Sequence, residues 1–90
     1  MPVAVQWDNK AIKDRDALIS DKKLTEQQIN DAAADVWNWA NQQPYDPGRK
    51  PHKLKGKLEG YIGFHINGPY VFILLQESTT ITIVRVGDYH

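Results

Sequence analysis

Four residues that break regular structure fall within eight positions: Pro44, Pro47, Gly48 and Pro51. Proline removes a backbone donor and fixes φ, and glycine costs a regular element its conformational entropy, so no helix or central strand runs through this stretch. The two sides of the break carry different hydrophobic periods. Before it, after a short alternating start (Val3, Val5, Trp7 against Ala4, Gln6, Asp8), apolar residues recur at helical spacing. Asp8 or Asn9 is placed to cap a first helix containing Ala11, Ile12, Leu18 and Ile19. Thr25-Glu26-Gln27-Gln28 fits a capping box for a second, with Leu24 and Ile29 set as a hydrophobic staple. Ile29, Ala33, Val36 and Ala40 form its apolar stripe, and Trp37 and Trp39 border that stripe as core-edge packing rather than base-stacking platforms.

Beyond the break the period drops to two. Tyr61 to Ile66 alternates, Asn67-Gly68 signals a type I′ hairpin turn, Tyr70 to Leu75 is apolar throughout, and Thr80 to Val86 is rich in β-branched residues. Residues 42 to about 54 read as a loop. The order predicts an α+β fold, β-α-α-β-β-β, in which two N-terminal helices pack on an antiparallel sheet.

Ninety residues are enough for one small domain, so residues 1–90 are expected to form a single unit. With no cysteine, packing holds it without disulfides or thiolate metal sites. Met1-Pro2-Val3-Ala4 lacks a secretion signal's basic start, and the longest apolar run, Tyr70 to Leu75, is far below the ~20 residues of a membrane helix. A soluble, cytoplasmic protein is expected. The formal net charge is zero, but residues 1–48 sum to −3 and residues 49–90 to +3. Arg49, Lys50, Lys53, Lys55 and Lys57 crowd together with no acid among them, which suits either a phosphate-facing patch or a solvated loop.

All three histidines, His52, His65 and His90, lie in the basic half. Imidazole exchanges protons near neutral pH, so a pair beside a lysine can cleave RNA: one takes the 2′-OH proton, the other protonates the departing 5′-oxygen, and the lysine offsets the developing charge. Each residue also has a plainer reading. His52 can be a polar loop residue, His65 a cross-strand hydrogen-bonding group and His90 a frayed terminus. The histidines lack the short spacing of a metal site, and no cofactor is expected.

The run Lys50-Pro51-His52-Lys53-Leu54-Lys55-Gly56-Lys57-Leu58-Glu59-Gly60-Tyr61, followed by the NG hairpin and Gly87-Asp88-Tyr89-His90, resembles the RelE/ParE toxin superfamily, closest to its HigB and YafQ branches. The resemblance implies a microbial-RNase-like toxin of a type II toxin–antitoxin system. Such a toxin cuts mRNA in the ribosomal A site without metal, touches the 16S rRNA backbone and is neutralised by a cognate antitoxin. It implies catalytic roles for His52, Lys55, Asp88, Tyr89 and His90, with His65 in second rank. His52 and His90 would move protons, Lys55 would face the transition-state charge and Tyr89 would orient the scissile nucleotide. Arg49, Lys50, Lys53, Lys57 and Arg85 would contact RNA. Alternation along the last strand sets Arg85 with Ile81 and Ile83. One departure stands out: where relatives carry an arginine after the aromatic residue opening the strand beyond the hairpin, Tyr70 is followed by Val71. The alternatives are a non-enzymatic ParE-like inhibitor of gyrase, or a degenerate toxin that only binds its antitoxin. With opposite charges on the two halves, attraction to free RNA largely cancels, so cleavage is expected to need the ribosome.

Overall fold

The structure, a computed structural model, describes residues 2–89. Strand β1 (Ala4–Trp7) leads into helix α1 (Asn9–Ser20), capped by the Asp8 carboxylate, which accepts from the Lys10 N–H. Helix α2 (Glu26–Ala40) opens on the expected capping box, with Thr25 and Gln28 each satisfying the other's backbone N–H. Leu24 and Ile29, the two arms of the staple, are both buried. Three further strands follow the proline-rich break: β3 (Ile62–Asn67), β4 (Tyr70–Gln76) and β5 (Thr80–Asp88).

The sheet differs from the expectation in two ways. It has five strands, because His52–Lys53, inside the segment read as a loop, forms a short edge strand, β2, against β3. It is also mixed: in the order β1-β5-β4-β3-β2, β1 runs parallel to β5 with Ala4 opposite Thr80, and the other pairings are antiparallel. Parallel pairing of segments 76 residues apart leaves no local signature, so the sequence pattern could not reveal it.

The hairpin after β3 is present with a different turn. Asn67 still pairs with Tyr70, which leaves Gly68 and Pro69 at the centre. Gly68 takes φ +55°, and Pro69, held at negative φ by its ring, gives the II′ arrangement instead of I′.

The helices cover one face of the sheet. Phe64, Phe72, Leu74, Ile81, Ile83 and Val86 meet Ala11, Ile29, Ala32 and Val36 there, all fully or almost fully buried. Asn41, just past α2, ties the helix to β1: its side chain accepts from the Val3 N–H and donates to the Val3 and Trp37 carbonyls. The opposite face is not simply solvated. Val71 and Ile73 project from it, yet are only 5% and 1% exposed. The segment from β2 to β3, which includes a 3₁₀ turn at Gly56–Leu58, folds against this face, held by the Leu54 N–H donating to the Tyr61 carbonyl. Among the described residues, no helix is long and apolar enough to cross a membrane.

Candidate active site

The strand registers set out the site. His52 lies opposite Gly63, Gly63 opposite Ile73, and Ile73 opposite Arg85; one row on, His65 faces Val71 and Val71 faces Gly87. On the face away from the helices, His52, Leu54, Gly63, His65, Val71, Ile73 and Tyr89 line a shallow depression of about 60 Å³. The two imidazole rings are 5.9 Å apart, centroid to centroid, at 34°.

Two glycines make room for the rings of His52 and Tyr89. A Cβ on Gly63 would lie 2.9 Å from His52 Cε1 and 3.1 Å from its Nε2, so the imidazole rests on bare backbone. A Cβ on Gly87 would lie 3.1 Å from Tyr89 Cε2, so the phenol folds back over β5 in the same way. The sequence offered the two histidines as isolated candidates. The bare backbone of Gly63 beneath His52 appears only when the strands are paired.

His52 is oriented from the loop before it. A 3₁₀ turn at Pro47–Arg49, capped by the Asp46 carboxylate, delivers the chain to Lys50 in the left-handed region, φ +45°. The Lys50 carbonyl then accepts from His52 Nδ1 at 2.7 Å. An accepting carbonyl requires the proton on Nδ1, which leaves Nε2 as the basic nitrogen of the neutral ring. Nε2 is also the nitrogen lying over Gly63.

Two arginines of the basic half have carboxylate partners. Arg49 Nε donates to Asp35 of α2 at 2.9 Å, and its Nη1 donates to the Ile66 carbonyl at 2.9 Å; both side chains are largely buried, 13% and 17% exposed. Arg85 holds Asp14 of α1 through two hydrogen bonds, and Asp14 also accepts from the Val86 N–H. Burial alone would raise the Asp14 pKa. The Arg85 hydrogen bond, the Val86 N–H and the Arg85 charge outweigh it and keep the carboxyl below its ordinary value. Arg85 does not share a face with Ile81 and Ile83. The register slips by one residue at Val84, a β-bulge, which puts Val86 into the core and turns Arg85 to the other side. There the Arg85 charge acts on Tyr89. Burial, opposed by that charge and aided by Asp14, holds the phenol's pKa above its ordinary value, so its hydroxyl stays protonated at neutral pH.

The remaining candidates are dispersed. Lys55 is exposed at the N-cap of the Gly56–Leu58 turn and is not in the wall of the depression. Asp88 is exposed on β5, paired with Tyr70. Lys50 and Lys53 are exposed beside His52, and Lys57 lines a separate groove with Tyr61, Ile73 and Arg85. His90 lies outside the described residues. Val71 sits in the floor of the depression between His65 and Gly87. Among the described residues, no cluster of three His, Cys, Asp or Glu side chains could hold a metal ion.

No protein-family model matches the chain, and no curated protein matches it in sequence. Solved structures do match its fold. A metal-bound toxin from Helicobacter pylori superposes with a TM-score of 0.77 at 24% identity, over 97% of this chain and 94% of that one. The YafQ toxin in the Escherichia coli DinJ-YafQ toxin-antitoxin complex gives 0.77 at 18% identity, over 98% and 93%. A chain of the Staphylococcus aureus YoeB-YefM complex gives 0.68 at 21% identity, over 100% and 99%. The fold is therefore the α+β fold of RelE-like toxins along essentially the whole chain.

Proposed function

We propose that this protein is the toxin of a type II toxin–antitoxin pair and a ribosome-dependent endoribonuclease that cuts mRNA in the A site. The observation that carries this reading is the pairing of His52 and His65 across a depression walled by Tyr89, on the fold of the toxins above. Surface loops can carry histidines by chance. Two imidazoles 5.9 Å apart, one resting on a glycine with its tautomer set by a carbonyl, form an arrangement suited to proton transfer.

In this mechanism one imidazole takes the 2′-OH proton as the 2′-oxygen bonds to phosphorus. The bond from phosphorus to the 5′-oxygen breaks, and a protonated imidazole gives its proton to that oxygen. His52 is the base through Nε2, and the acid is His65 or His90, the latter lying outside the described residues. Lys55 supplies charge to the transition state, Asp88 supports His90, and Tyr89 orients the scissile nucleotide. Lys50, Lys53 and Lys57, with the outer edges of Arg49 and Arg85, meet backbone phosphates of mRNA and 16S rRNA. The partners are a cognate antitoxin and the mRNA that the ribosome presents.

Primer-extension mapping in a translation reaction tests this. The wild type should cut mRNA only with ribosomes present, and His52→Ala and His65→Ala should each lose that cutting. Intact mRNA with the wild type would sink the nuclease reading. Retained antitoxin binding would then point to a degenerate toxin, the reading that Val71 favours, and a supercoiling assay would test gyrase inhibition.

A further inference from the structure

His52 borders a second cavity, of about 260 Å³, on the other side of β2. Its apolar walls are Trp39, Tyr45, Pro51 and Ile62, and its polar lining includes Lys53 and Gln76. The aromatic walls have a common backing: the Trp39 and Tyr45 rings lie 5.9 and 6.4 Å from that of Phe64, which is fully buried. Trp39 thus belongs to the core edge, as its place beside the α2 stripe suggested, and also presents a ring to an open cavity.

We infer that this cavity is a base-binding subsite for the nucleotide adjoining the one that is cut. The inference rests on the nuclease reading and deepens it. Single-stranded RNA is recognised by stacking of splayed bases on aromatic rings, with hydrogen bonds to the base edge and cations on the backbone. Trp39 and Tyr45 provide the rings, Gln76 offers both a donor and an acceptor, and Lys53 brings a positive charge. An aliphatic side chain of a protein partner would use the walls but no part of that polar set. The edge strand β2 gives the address: His52 lines both cavities from the border of the sheet, so the subsite is reached by an RNA strand that passes over β2 from the imidazoles to the aromatic walls.

The test is an NMR titration of the intact protein with AMP, GMP, CMP and UMP, and with ribose 5-phosphate as the probe lacking a base. At least one mononucleotide should shift the Trp39 indole and Gln76 amide signals at millimolar concentration, and ribose 5-phosphate should leave them in place. Tyr45→Ala should stay folded, with a slightly lower melting temperature from the lost ring contact with Phe64, and weaken nucleotide binding about tenfold, the scale of one lost stacking contact. Equal shifts with ribose 5-phosphate, no shifts at all, or unchanged affinity in Tyr45→Ala would overturn the subsite. Nucleotide binding alongside intact mRNA would leave the subsite standing and remove the nuclease. Active cutting whose flanking-base preference is unchanged by Tyr45→Ala would remove the subsite alone.

Discussion

The Arg49 guanidinium lies 2.9 Å from the Asp35 carboxylate and bridges the basic loop to α2, while its other arm holds the Ile66 carbonyl at the end of β3. This pair sits one residue before Lys50, whose carbonyl sets the tautomer of His52. Arg49→Met leaves Asp35 and the carbonyl without their donor. The expected cost is ~2 kcal/mol in urea denaturation, below the range for a fully buried pair because both side chains retain some exposure. His52 should also lose its preference for the Nδ1–H form in imidazole nitrogen NMR spectra. Arg49→Lys should restore part of the stability but not the two-armed geometry.

Gly63→Ala places a methyl group where the His52 ring rests, 2.9 Å from its nearest carbon. The ring is an exposed side chain and can swing away, so the stability cost is expected to be modest, about 1 kcal/mol. Cleavage should fall by far more than stability does, on the order of a hundredfold for a displaced proton acceptor. Primer extension beside a thermal melt separates the two.

Val71→Arg restores a positive charge at the centre of the depression, facing His65 across one strand boundary and Gly87 across the other. If a missing charge donor limits the rate, cutting should rise, by up to about a hundredfold. The same change replaces a side chain that is almost fully buried, so a loss of roughly 1–3 kcal/mol in stability should accompany it. The measurements are single-turnover cleavage on stalled ribosomes and urea denaturation.

Asp14 is expected to make stability depend on pH in the acid range. Its carboxyl is held below its ordinary value in the folded protein, so its contribution is complete above the unfolded pKa, ordinarily about 3.9, and is lost as pH falls through the lower folded one. Asp14→Asn should therefore destabilise the protein at pH 7 by about 1 kcal/mol, through weaker bonds to Arg85 and the Val86 N–H. As pH falls through the lowered folded pKa the difference between variant and wild type should close. Melting temperatures across that range check the sign.

How much of this was legible in the sequence depended on the range of each interaction. The capping box at Thr25 and the alternation through Ile62, Phe64 and Ile66 act within a few residues, and both elements form where those patterns place them. β2 was missed because two residues in a proline-bounded basic stretch have no period to read. The bulge at Val84 was invisible because it is a relation between strands, and it alone decides which way Arg85 faces. In the site, histidine chemistry was readable from residue type, whereas the Gly63 floor, the Asp35 partner of Arg49 and the Trp39–Tyr45 cavity are all products of long-range packing.

The parallel pairing of β1 with β5 also dictates when the molecule can assemble. A nascent chain has no sheet for its first strand to join until residues 80–88 have emerged, and those residues lead directly into Tyr89. Contacts of such sequence separation form late, after most of the chain's entropy has been spent. The His52–His65 depression and the pairing of β1 with β5 therefore arise in one event, and a chain synthesised only through β4 carries both histidines without the Tyr89 wall.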